Sequence, residues 1–204
     1  MEHGIISLRK SYGFVKANHE IPRGDFAKWK EFRGVCDSLV RAVPEKQGFY
    51  LWGFYDQRGL WRNIYVGKAG FSKSGDLKAR ISEELRDERC FLWRTLRSEA
   101  GLLKSGRRLY PRQWKRYEAH WKRSLKKAGT SHIVWVATGL KPRAVKRVEA
   151  DLIEVLNPRA NVQRPAPPST IQSDTSDILA LMRQSIHRNR KGKYRLPSGF
   201  VPND

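Results

Sequence analysis

The chain has 204 residues, enough for one well-buried core with appendages rather than for two large domains. Forty-one Lys and Arg against twenty Asp and Glu give a formal charge of +21, a field that attracts polyanions, nucleic acid above all. No run of about eighteen apolar residues occurs, so no membrane-spanning helix and no membrane partner are expected. The opening MEHGIISLRKSYGF lacks the basic-then-apolar order of a secretory signal, and a cytoplasmic location is expected. Cys36 and Cys90 lie far apart, with no CxxC and no His cluster, and read as reduced packing residues rather than zinc ligands or a disulfide.

Residues 25–43 place Phe26, Trp29, Phe32, Cys36, Leu39 and Val43 at steps of three and four, with Pro44 as a stop. That spacing predicts an amphipathic helix, and residues 1–45 read as an N-terminal arm and helix. GFYLWGFYDQRGLWRNIYVGKAG, residues 48–70, follows as two aromatic strands about the polar turn Asp56-Gln57-Arg58-Gly59, an antiparallel hairpin. LKARISEEL, residues 77–85, is a short helix that Asp76 or Ser74 can cap.

Residues 86–130 carry fourteen Lys and Arg against four Asp and Glu, interleaved with aromatics. Within them, Pro111 suits a first helical turn, Trp114, Tyr117, Trp121 and Leu125 share one face, and Gly129 is a stop. The other faces form a basic stripe. HIVWVAT, residues 132–138, is a continuous apolar run rich in β-branched residues and predicts a buried strand. A helix is expected from about Arg143 to Leu156, ended by Asn157-Pro158. From residue 164 the Pro and Ser content reads as a linker, followed by one small amphipathic helix, DILALMRQSI, and a basic tail.

At roughly 100° per residue, Val145, Val148, Leu152 and Leu156 share one arc of their helix, and Glu149 falls inside it. Asp151 and Glu154 point away from that arc. An inward acid needs a partner, either a core arginine or a role as metal ligand or acid-base group. Arg80 and Glu84 fall on or beside the inward arc of Leu77, Ile81 and Leu85, and alone they could be a helical ion pair of a few tenths of a kcal/mol. Three inward-leaning charges in so small a core point to a site. Tyr50 and Tyr65 sit on neighbouring strands. A phenol titrates at about 10, so either could act as a base at neutral pH only beside a cation such as Lys68 or a metal. Gly67 between them would let backbone or phosphate approach closely.

The order Gly48-Phe49-Tyr50, Tyr65-Val66-Gly67-Lys68, Arg80, Glu149 and Asn161 resembles the GIY-YIG nuclease superfamily over residues 46–163, with YVGKAG and DLKARI similar to its repair-nuclease branch. The resemblance implies an α+β fold, a small three-stranded antiparallel sheet flanked by helices, and metal-dependent hydrolysis of nucleic-acid phosphodiesters. It makes Tyr50 and Tyr65 the motif tyrosines, Arg80 the phosphate-contacting arginine, Glu149 the ligand of one Mg²⁺ or Mn²⁺ per site, and Asn161 a supporting polar residue. Phe49 replaces the usual isoleucine, and Glu84 stands where many members have His or Tyr.

On this reading Tyr50 is the general base with Lys68 lowering its pKa, and Tyr65 is the alternative. The expected activity is that of a stand-alone DNA endonuclease of a bacterial or phage-infected cell, restriction-type or phage-type, acting on double-stranded DNA, with a homodimer if the target is palindromic. Lys104, Arg107, Arg108, Arg112, Lys115, Arg116, Lys122 and Arg123 of the helical insert would position the DNA backbone. The alternative is a DNA- or RNA-binding protein that keeps the fold and has lost catalysis, or a repair or phage nuclease that recognises structure.

Overall fold

Strand β4 (His132–Ala137) explains the architecture, because every one of its six residues is buried and a strand covered on both faces needs helices on both sides of its sheet. The computed structural model describes residues 1–17, 26–71, 75–86, 130–161 and 171–190. In chain order the described elements are β1 (His3–Ser7), α1 (Arg9–Ala17), α2 (Phe26–Leu39), β2 (Gly48–Tyr55), β3 (Trp61–Ala69), α3 (Leu77–Arg86), β4, α4 (Pro142–Leu156) and α5 (Ser173–Asn189).

The fold is α+β, with one antiparallel sheet in the order β1-β4-β2-β3. The three strands expected from the sequence are β2, β3 and β4, and the sheet has a fourth. β1 comes from the N-terminal arm and pairs with β4 from His3↔Val136 to Ser7↔His132. A buried central strand must satisfy backbone groups along both edges, and β1 does so for the edge of β4 that β2 leaves open.

One face of the sheet carries Tyr50, Trp52, Ile133 and Trp135, packed against Phe32 and Cys36 of α2 and Leu77, Ile81 and Leu85 of α3. The other carries Phe49, Leu51, Val66, Val134 and Val136, packed against Val145, Val148 and Leu152 of α4 and Ile178, Leu179 and Met182 of α5. The inward arcs expected for α3 and α4 are therefore the buried ones. Helix α2 ends at Leu39, four residues before Val43, which is buried in the turn that follows. The segment read as a small helix after a linker is the 17-residue α5, and it closes one of the two cores.

The β2–β3 turn is tied by Asp56, whose Oδ1 accepts from the Leu60 amide at 2.8 Å and whose Oδ2 accepts from Arg62 Nε at 2.9 Å. Gly59 closes it at φ 74°, a conformation that favours glycine. The register shifts between Trp52 and Gly53, so Trp52 pairs with Tyr65 while Gly53 pairs with Asn63. Such a bulge re-aims side chains, and here the one next to it on β3 is Tyr65.

Candidate active site at the free edge of β3

β3 ends the sheet, so the cleft beside it is walled by side chains from both faces. Its volume is about 400 Å³. Tyr50 and Tyr65 enter from the strands, and Arg80 enters from α3. Lys68 on β3 and Glu149 on α4 complete the polar wall, with Lys146 of α4 beside them. Five residues singled out from the sequence thus meet in one place. Lys146 went unrecognised there, although its spacing of three from Glu149 puts both on one side of a helix.

Asp76 sets the start of α3 by accepting from the Ala79 amide at 2.8 Å, which fixes where Arg80 leaves the first turn. Pro142 opens α4 and Asn157, at φ 41°, ends it, so Glu149 sits in the middle of a bounded helix. Tyr50 and Tyr65 rings lie 6.3 Å apart, tilted by 53°.

Polar contacts divide into two groups. Tyr50 Oη donates to Glu84 Oε1 at 2.7 Å, and Arg80 Nη2 lies 3.1 Å from the same oxygen. Arg80 Nη1 is also 3.1 Å from Glu83 Oε2. In the second group Lys68 Nζ meets Glu149 Oε2 at 2.5 Å. Lys68 therefore pairs with the carboxylate and not with a tyrosine, which corrects its expected role of lowering the Tyr50 pKa. Burial, and then the Glu84 charge, hold the Tyr50 phenol well above its ordinary value. Burial and Glu84 push Tyr65 up to about 12. Neither phenol is ionised at neutral pH in the resting chain, because burial penalises the charged form and the Glu84 carboxylate opposes it further.

Gly67 also has a different task from the one expected. A Cβ there would meet Tyr50 Cε2 at 2.7 Å, with Cζ and Oη closer still. The space beside Gly67 holds the Tyr50 ring rather than an approaching phosphate.

Asn161 does not line the cleft. Its Oδ1 accepts from the Val66 amide at 2.9 Å and its Nδ2 donates to the Val66 carbonyl at 3.0 Å, so one side chain mimics a strand partner on the open edge of β3. The Ala160 amide, donating to the Ile64 carbonyl at 2.9 Å, extends that clamp. Asp151, expected to point away from the core, is buried, because α5 covers a second face of α4; Thr175 Oγ1 donates to its Oδ2 at 2.9 Å. The basic residues Lys104, Arg107, Arg108, Arg112, Lys115, Arg116, Lys122 and Arg123, and Cys90, lie outside the described residues.

Among the cleft-lining side chains Lys68, Arg80 and Lys146 are cationic and Glu149 alone is anionic, an imbalance suited to an anionic ligand. No group of three or more His, Cys, Asp and Glu that could cage a metal occurs among the described residues. A lone carboxylate suits a hard divalent cation that keeps most of its water and shares the rest of its shell with phosphate oxygens, as Mg²⁺ commonly does. Among the described residues no helix is long and apolar enough to cross a membrane. No family model matches the chain, and neither a curated protein nor a solved structure matches it.

Proposed function

We propose that the chain is a metal-dependent endonuclease of GIY-YIG type that hydrolyses phosphodiester bonds of double-stranded DNA. The observation that carries this reading is the convergence of Tyr50, Tyr65, Lys68, Arg80 and Glu149, from two strands and two helices, on one predominantly cationic cleft. A phosphodiester gains negative charge on its non-bridging and leaving oxygens as water attacks. Arg80 is the fixed guanidinium for those oxygens, and Lys146 and Lys68 add charge on the opposite wall. Glu149 would hold the divalent cation, which supplies charge neutralisation at the phosphate when bound. Tyr50 or Tyr65 would receive the proton of the attacking water.

The net charge of +21 supports a polyanionic substrate, and a sequence-specific, restriction-type enzyme acting as a homodimer is the form in which we place it. Incubation of supercoiled plasmid with Mg²⁺ or Mn²⁺ is expected to give nicked and linear DNA, and EDTA or Glu149→Ala is expected to leave it intact. Sequencing of the ends is expected to return discrete sites; a smear would reject restriction-type specificity while keeping the nuclease.

One observation favours a second reading, a DNA- or RNA-binding protein without catalysis. Both principal polar groups are already paired within the chain, Arg80 with Glu83 and Glu84, and Glu149 with Lys68. Intact plasmid under every metal, together with a gel shift, would select it.

A further inference from the structure

Tyr50 has its hydroxyl committed to Glu84 while Lys68 pairs with Glu149, and this bond is the feature beside the cleft for which the nuclease reading has no use. Glu84 is nearly buried, its side chain 13% exposed. Its Oε1 receives both Tyr50 and Arg80, while Oε2 is buried with no hydrogen-bond partner among the described residues. An acceptor left unsatisfied in this way costs stability, and a charged one costs more than a neutral one. A buried carboxylate oxygen without a partner calls for an explanation, and the place of Glu84 beside the candidate reaction centre, already holding the Tyr50 proton in a hydrogen bond, offers one.

We infer that Glu84 is the proton acceptor behind Tyr50, so that the phenol passes its own proton to the carboxylate as it takes one from the attacking water. This rests on the nuclease reading above. A tyrosine that is neutral at rest cannot take a second proton without giving up its first, and the exit is the hydrogen bond already formed. In the full step the water oxygen bonds to phosphorus and its proton moves to Tyr50 Oη while the Tyr50 proton moves to Glu84 Oε1. The bond from phosphorus to the leaving oxygen breaks, its electron pair departs on that oxygen, and the oxygen takes a proton from solvent. Glu84 then returns its proton to solvent, leaving one phosphomonoester and one hydroxyl end.

The same transfer acts on Arg80. While Glu84 is ionised it neutralises one side of the guanidinium; once protonated it does not, and the cleft becomes more positive as the phosphate becomes more negative. The groups facing Glu84 are Tyr50 on β2, Tyr65 on β3 and Arg80 on its own helix, with Glu83 on the outer side of Arg80. From α2, Asp37 is directed at Ser82 and Arg86 instead.

The test compares wild type, Glu84→Gln and Glu84→Ala in single-turnover cleavage of supercoiled plasmid with Mg²⁺ across pH, alongside plasmid binding by gel shift and thermal melting. Glu84→Gln is expected to bind within about twofold of wild type and to cut about 10²-fold slower or worse. It is also expected to lose the acid limb of the wild-type pH–rate profile. In Glu84→Ala, formate is expected to restore the rate at least tenfold, and formamide to do nothing. Wild-type rates in Glu84→Gln would overturn the inference, as would a slow Glu84→Ala that formate does not rescue and whose pH profile keeps its acid limb. A wild type that leaves plasmid intact with Mg²⁺ and Mn²⁺ would instead remove the nuclease reading, and this inference with it.

Discussion

Lys68 Nζ stands 2.5 Å from Glu149 Oε2, joining the end of β3 to the middle of α4 across the cleft. Both side chains are partly exposed, 33% for the lysine and 26% for the glutamate, so the pair stabilises the fold by no more than about 1 kcal/mol. Its larger consequence is competition, because an ammonium and a divalent cation want the same carboxylate oxygen. Lys68→Met is therefore expected to tighten Mn²⁺ binding about fivefold at low salt. Glu149→Ala is expected to abolish it. Mn²⁺ titration followed by electron paramagnetic resonance reads both without any reference to activity, and unchanged affinity in Lys68→Met would show that the lysine does not occupy the cation's place.

Gly67 faces the Tyr50 ring so closely that no side chain fits. Gly67→Ala forces either the ring or β3 to move, and overpacking of this kind costs about 1–3 kcal/mol. Where the ring gives way it loses its contact with Glu84, so cleavage is expected to fall along with urea stability. A variant with wild-type stability and wild-type cleavage would mean that Tyr50 has room to spare.

The hairpin, α3 and α4 were legible in the sequence because alternation and a 3.6-residue period leave direct marks on apolar positions. β1 was not, because HGIIS is too short to carry a pattern and its pairing with β4, from His3↔Val136 to Ser7↔His132, is decided far along the chain. α5 was legible as a helix but not as a wall of the core, since a Pro- and Ser-rich approach looks the same whether the helix beyond it docks or floats. Asp151 shows the limit of reasoning from one arc: a helix touched by a sheet on one side and a helix on the other has two buried faces. At the cleft, spacing identified which charges turn inward but not which of them meet. The partners Tyr50 and Glu84 are 34 residues apart, and nothing local says that the phenol finds that carboxylate before Lys68.

Asn161 holds both backbone groups of Val66, and its contribution is expected to be structural. Asn161→Ala leaves the edge of β3 without two hydrogen bonds and is expected to cost about 2–3 kcal/mol in urea unfolding. Asn161→Asp is expected to be no better, because it keeps the acceptor for the Val66 amide but sets a second oxygen against the Val66 carbonyl. Faster hydrogen exchange at the Val66 amide in both variants would locate the damage. Loss of cleavage with stability and exchange unchanged would return Asn161 to the catalytic set.

His132 supplies a pH dependence whose sign is fixed by its surroundings. Nδ1 lies 2.7 Å from Ser131 Oγ, Nε2 has no hydrogen-bond partner among the described residues, and the Tyr55 ring stands edge-on at 5.2 Å. Burial lowers its pKa from 6.5 to about 4, so the folded chain keeps the imidazole neutral where the unfolded chain would protonate it. The unfolded state binds the extra proton between those values. Stability from this group is therefore fully present above pH 6.5, declines as pH falls through that window, and levels near pH 4 after a loss of about 3 kcal/mol. His132→Phe retains an aromatic ring without a titrating group and is expected to flatten the decline. Urea midpoints measured from pH 8 to pH 4 for both proteins check this, and parallel curves would mean that His132 is protonated in the folded chain as readily as in the unfolded one.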